Sequence, residues 1–180
     1  MFYKDWEVFY EAIIKDFNFD YNKDFESAKL LDKFISESKS KKIGNLNDLI
    51  KQKKVYIFGS GPSLINSINE NKDEINNNTI ISADGATSAL IEKDILPDII
   101  VTDLDGKISD QIYANKKGSI TIIHAHGDNI DKIKKYFVKF INKTIGTTQI
   151  DPYIFNNLHN FGGFTDGDRC VFLADHFNAS

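Results

Sequence analysis

The chain has 180 residues, enough for one domain with a small appendage to bury a core without disulfides or metals. Its 26 acidic and 22 basic residues are mixed along the chain, net charge −4, so no basic stripe is present to track a phosphate backbone and nucleic acid is not expected as a partner. Cys170, the single cysteine, cannot close an internal disulfide. No run approaches the roughly 18 apolar residues of a membrane span, and the start MFYKDWEVFYE lacks the regions of a signal peptide, so a cytoplasmic protein without a membrane partner is expected.

From Asp5 to about Leu49 the apolar residues recur at helical steps, and Trp6, Phe9, Tyr10, Ile13, Ile14 and Phe17 form one helix face. A second helix is expected over 24–38, with Leu30, Leu31, Phe34 and Ile35 inward, closed by the charged linker SESKSKKIGN (36–45). Residues 1–50 thus read as a helical N-terminal segment docked on the remainder of the chain. After Lys54 short β-branched runs alternate with helical patterns: VYIF (55–58), TIISA (79–83), DIIVT (98–102), SITIIH (119–124) and KTIGTTQ (143–149). This is the pattern of an α/β fold, a Rossmann-like and mostly parallel sheet with flanking helices, over residues 51–180. Pro62 suits the first turn of the helix after the first strand, where its missing N–H costs nothing.

The polar residues fall at one edge of this sheet. The strands are followed in turn by Gly59-Ser60-Gly61, by Asp84-Gly85-Ala86, by Asp103-Leu104-Asp105-Gly106 and by His124-Ala125-His126-Gly127-Asp128-Asn129. Their amino ends begin with ordinary material such as KQKK and NNNT, and ligands of open parallel sheets bind at the carboxyl ends. Asp103 and Asp105, two apart, would point the same way in an extended segment, with Asp84 adding a third carboxylate. Bare carboxylates at about 4 Å repel by roughly 4 kcal/mol per pair at an intermediate dielectric, and a bound cation reverses that cost. Hard oxygens without a cysteine cluster favour magnesium or manganese, which share their remaining positions with substrate phosphates.

Each motif has a plainer reading. GSGPSL lacks the Gly-Lys-Ser/Thr of a Walker loop and has Leu64 where a dinucleotide fingerprint has its third glycine, although Asp84 falls near that fingerprint's ribose position. A simple strand–turn–helix corner is the alternative. Zinc at His124 and His126 would need a third ligand, and substrate or phosphate contacts are favoured. In FGGFTDGDR (161–169), Thr165 or Asp166 is a candidate helix N-cap, while the two glycines and Arg169 fit a phosphate-gripping loop. Cys170 and Trp6 are expected in the core.

In order and spacing, GSGPSL, ADGA (83–86), LPDIIVTDLDG (96–106), HAHGDN (124–129), TTQ (147–149) and NFGGFTDGDR (160–169) resemble the archaeal 6-hydroxymethyl-7,8-dihydropterin pyrophosphokinases. The DGA and PD-x-x-V-x-D-x-D elements also look like those of thiamine pyrophosphokinases, and the GxGPSL loop is similar to one in the nucleotide-sugar-using domain of flagellin-glycosylating proteins. Two further alternatives therefore stand beside thiamine transfer, a nucleotide-sugar glycosyltransferase domain and a non-catalytic nucleotide-binding module. The resemblance implies transfer of diphosphate from ATP to a pterin alcohol with release of AMP, in folate or methanopterin biosynthesis. It assigns Asp103 and Asp105 to Mg2+ with Asp84 nearby, Asp128, Asp166 and Asp168 to further metal or water contacts, and Arg169 to the developing phosphate charge. Gly59, Ser60, Gly61, Ser63 and the Asp84-Gly85 corner would face the nucleotide, with Thr165 beside them, and His126, Asn129 and Gln149 are candidates for nucleotide or pterin contacts. A homo-oligomer is compatible with all of this. The family continues with further strands and a helix, whereas the last helix here runs to about Asn178 without a glycine stop, so a C-terminally shortened catalytic domain is expected.

Overall fold

Each β-branched run after Lys54 becomes a strand of one parallel sheet. In the computed structural model, which describes residues 3–38, 44–140 and 143–180, these are β1 (Val55–Phe58), β2 (Thr79–Ala83), β3 (Ile99–Thr102), β4 (Ile120–Ala125) and β5 (Thr144–Thr148). A sixth strand, β6 (Leu158–His159), was not expected; two residues are too few to carry a periodic signal. Strand order is β1-β2-β3-β4-β5-β6 and every pairing is parallel. The α/β expectation therefore holds in layering and strand direction, with an order that runs straight through.

In a sheet that never reverses, right-handed crossovers put their helices on one face. The crossover helices are α4 (Leu64–Glu70), α5 (Lys72–Ile75), α6 (Ala86–Ile91), α7 (Ile108–Lys117) and α8 (Ile130–Tyr136). Ile80 of β2 packs with Ile68 of α4 and Leu90 of α6. On the opposite face Ile81, Ala83, Ile99, Val101, Ile120 and Ile122 pack on α3 (Gly44–Ile50) and α9 (Asp166–His176) through Leu46, Ile50, Cys170 and Leu173. Cys170 is fully buried, and its expected place in the core stands.

The N-terminal segment is helical, with α1 (Tyr3–Phe17) and α2 (Tyr21–Glu37) joined by a tight corner. Asp20 caps α2, its Oδ1 accepting from the Asn22 N–H at 2.9 Å, so the helix starts earlier than residue 24. Leu31 and Ile35 of α2 join Trp6 and Tyr10 of α1 against Ile123, Ala125 and Ile133. Trp6 is core, as expected, and its indole N–H donates to the Gln149 carbonyl at 2.8 Å, tying α1 to the end of β5. Of the expected linker, residues 39–43 lie outside the described residues, and Gly44 already belongs to α3.

Two end signals differ from expectation. Pro62 and Ser63 form a turn, with the Leu64 N–H on the Gly61 carbonyl at 3.1 Å, and α4 begins only at Leu64. α9 does have a stop. Asn178 takes the left-handed position (φ 55) usually given to glycine, its N–H donating to Asp175 and that of Ala179 to Ala174, which is a Schellman closure. Among the described residues no helix is long and apolar enough to cross a membrane.

Candidate active site

Three loops meet at the carboxyl edge through backbone shapes that side chains rarely adopt. Asp84, at the end of β2, has φ 37; Leu104 and Gly106, after β3, have φ 70 and 67. Such geometry costs about 1–3 kcal/mol per non-glycine residue and persists where surrounding structure enforces it. A Cβ on Gly106 would sit 3.3 Å from Gly85 Cα, and one on Gly85 would sit 3.1 Å from Ser60 Oγ, so the loops after β1, β2 and β3 touch edge to edge. Thr102 links them further: its hydroxyl donates to Asp84 Oδ1 at 2.5 Å and accepts from the Leu104 N–H at 2.8 Å.

This packing draws together Asp84, Asp103 and, from the first turn of α9, Asp166. One carboxylate oxygen of each lies within 4.8 Å of the others. Asp166 accepts from the Arg169 guanidinium at 2.7 Å and from the Asp103 N–H at 3.3 Å. Asp103 Oδ2 lies 3.0 Å from His126 Nε2, while Asp103 Oδ1 and Arg169 Nε are buried without a hydrogen-bond partner. Burial, the hydrogen bond shared with Asp166 and that residue's charge push the Asp84 carboxyl up to about 9. For Asp166 burial acts upward as well, but the Asp84 hydrogen bond and the Arg169 guanidinium outweigh it and hold the carboxyl low.

The donor set suits a hard divalent cation. Three carboxylates converge and one buried oxygen has no partner, an arrangement whose charge a cation would neutralise. Asp105 is not in this set. Left-handed Leu104 breaks the extended alternation on which the pairing of Asp103 with Asp105 depended, and Asp105 instead faces Lys132 in an exposed ion pair.

The three carboxylates border a cavity of about 560 Å³ that His126, Asp128, Gln149, Thr165 and Arg169 also line. The α1–α2 corner, Asn18 to Asp20 with Lys23 and Asp24, lines it too, together with Phe164. The other sequence candidates lie elsewhere. Gly59, Ser60, Gly61 and Ser63 are exposed at the end of β1, outside the cavity, and nothing stands within 4 Å of a Cβ on either glycine. Gly85 is a contact between loops. Asn129 is fully buried: its amide donates to the Asp103 and His124 carbonyls at 3.0 and 2.6 Å and accepts from Ser27 and the His126 N–H. Asp168 caps α9 in a reciprocal box with Thr165. Gly162 and Gly163, at φ 93 and 92, bring that helix in, and a Cβ on Gly163 would collide with the Arg169 N at 2.7 Å.

Asp24 was missed by sequence reasoning. It is 3% exposed and accepts from Tyr10 Oη at 2.6 Å, the Gly127 N–H at 2.7 Å and Gln149 Nε2 at 2.8 Å. One carboxylate therefore joins α1, α2 and the ends of β4 and β5. A signal existed: Asp24 lies on the same helical stripe as the buried Ser27, Ala28, Leu31 and Ile35, where a charge needs a reason. The α1–α2 corner gave none, because its wall is assembled only by the fold.

A family model described as 6-hydroxymethylpterin diphosphokinase MptE-like matches residues 29–180. The chain belongs to this family. Curated relatives named 6-hydroxymethyl-7,8-dihydropterin pyrophosphokinase include one from Methanocaldococcus jannaschii, 51% identical over 98% of this chain and 75% of its own length. Those from Methanothermobacter thermautotrophicus and Pyrococcus furiosus are 46% and 43% identical, over 94% and 99% of this chain and 71% and 74% of their own lengths. The MptE-like match takes in every loop at the carboxyl edge and begins inside α2.

Proposed function

We propose that this member of the MptE-like family is a 6-hydroxymethyl-7,8-dihydropterin pyrophosphokinase that uses ATP and Mg2+. The observation that carries the reading is the convergence of Asp84, Asp103 and Asp166 on one wall of a cavity large enough for a small ring, in a chain so similar to relatives bearing that name. In the reaction the hydroxymethyl oxygen bonds to the β-phosphorus of ATP, the bond from that phosphorus to the α–β bridging oxygen breaks, AMP leaves, and the alcohol gives up its proton. Asp84, Asp103 and Asp166 would hold the divalent cation, which when bound neutralises phosphate charge. His126 steadies Asp103, and Arg169, anchored by Asp166, is the guanidinium that lines the cavity where phosphate charge would develop. Asp128 lines the cavity outside the triad and is the carboxylate free to take the alcohol's proton. The exposed glycine loop, Gly59 to Ser63, is assigned to the nucleotide's phosphates, where the open space about Gly59 and Gly61 leaves room for close approach to the backbone.

The test is incubation with ATP, Mg2+ and the dihydropterin alcohol, with nucleotides separated by chromatography. AMP and pterin diphosphate are expected in equal amounts, and Asp103→Asn should lower the rate at least about a hundredfold with its fold kept. ADP in place of AMP, faster transfer to thiamine, or turnover of a nucleotide sugar alone would refute the reading.

A further inference from the structure

Three phenylalanines stand together at the mouth of the cavity. Phe17 and Phe19 are stacked, centroids 5.5 Å apart and planes 16° apart, and Phe164 lies 5.7 and 6.3 Å from them at 32° and 30°. Two of the rings, Phe19 and Phe164, line the cavity itself. Phe17 and Phe19 are nevertheless 60% and 38% exposed. Scattered apolar side chains in water need no explanation, but a cluster of three rings beside a polar cleft does.

The rings are held by unusual backbone at two places. Asn18, between Phe17 and Phe19, is left-handed (φ 52) and turns the chain so that both rings fall on one side. Phe164 follows left-handed Gly163, whose approach to Arg169 fixes the start of α9. Asn18 and Phe164 both line the cavity.

Their place along the sheet decides which ligand they serve. Diphosphate transfer needs the attacking and leaving oxygens roughly in line across the transferred phosphorus, so the two ligands lie on opposite sides of the triad. The glycine loop ends β1 at one edge of the sheet, Asp84 and Asp103 end β2 and β3, and beyond them come the β4 loop and the α1–α2 corner. With the nucleotide on the glycine loop, the aromatic wall falls to the acceptor.

We infer that the α1–α2 corner is the acceptor half of the site, and that Phe19, backed by Phe17 and Phe164, is the face on which a flat heterocyclic ring of the acceptor stacks. Asn18 and Lys23 line the same cavity and add polar groups to it. The inference rests on the pyrophosphokinase reading and deepens it, since a helical segment outside the sheet becomes the part that selects the acceptor.

The experiment is a fluorescence titration of wild type, Phe19→Ala and Phe19→Tyr with 6-hydroxymethylpterin and, separately, with ATP, followed by the KM values of turnover. Stacking on one aromatic ring is worth roughly five- to a hundredfold in affinity. Phe19→Ala is expected to weaken pterin binding and raise the pterin KM by about tenfold or more, with ATP binding within about twofold, and Phe19→Tyr should restore both. Unchanged pterin affinity in Phe19→Ala, an equal loss for ATP, or a change only of oligomeric state would overturn the inference while the enzymatic reading stands. A wild-type protein that binds no pterin would overturn both.

Discussion

Replacing Asp24 with alanine removes the acceptor of three donors at once, buried ones from Tyr10 and Gln149 and a half-buried one from Gly127. A hydrogen bond to a charged group contributes about 1.5–3 kcal/mol, and an orphaned buried donor costs about 1–3 kcal/mol. Asp24 borders the cavity, so water can reach part of the gap and the lower figure applies, about 1 kcal/mol per donor. The expected loss is about 3 kcal/mol, which for a chain of this size is a fall in Tm of roughly 6–12 °C. Urea denaturation followed by circular dichroism measures it directly. Tyr10→Phe alone should cost about 1 kcal/mol, and almost nothing on top of Asp24→Ala, because the hydroxyl has by then lost its partner. A loss under about 1 kcal/mol for Asp24→Ala, or full additivity of the two changes, would refute the claim that this carboxylate holds the N-terminal helices to the sheet.

The remaining expectations are narrower. Gly61→Val should leave stability within about 0.5 kcal/mol, since the loop is exposed and nothing stands within 4 Å of a Cβ there, while isothermal titration should show ATP binding lost; normal ATP affinity would reduce GSGPSL to a corner. Gly163→Ala should destabilise by about 2 kcal/mol or more and lower turnover, because φ 92 and the 2.7 Å approach to Arg169 force the start of α9 to move; an unchanged melt contradicts this. Burial, then the charges of Arg169 and His126, hold His124 well below 6.5, and burial lowers His159 too. Both imidazoles are neutral in the fold and take up protons in the unfolded chain below about pH 6.5, so stability should fall as pH drops from about 7 to 5. His124→Gln should make that limb shallower in urea melts at several pH values, and an identical slope would count against it.

The sheet was legible because a strand covered on both faces is written as an uninterrupted run of isoleucine and valine, and β1 and β2 match VYIF and TIISA to the residue. β6 was not, since Leu158 and His159 pair with β5 only because the loop after Pro152 brings them there. The carboxyl edge was legible from its aspartates and glycines, but the grouping within it was not. Asp103 and Asp105 looked like partners by an alternation that left-handed Leu104 cancels, and Asp166 reaches the group from 63 residues away. Spacing in sequence finds residues that share an edge; it does not show which way a turn aims them. The same limit hid the α1–α2 corner, whose side chains meet the triad only after α2 has docked.

The straight strand order has a consequence for how the chain is made. Each strand pairs with the one synthesised just before it, so the sheet is able to grow in step with translation, one crossover at a time. The first two helices are the exception. Trp6 and Asp24 close on Gln149, 143 and 125 residues later, and the surface under them, begun by β4 and α8, is incomplete until β5 exists. The opening stretch of the polypeptide leaves the ribosome early and completes its contacts only after β5 has followed, and its docking closes the acceptor wall of the cavity. Pulse-labelled hydrogen exchange during refolding should then protect β2 and β3 before the Trp6 indole, making that tryptophan a reporter for completion of the site.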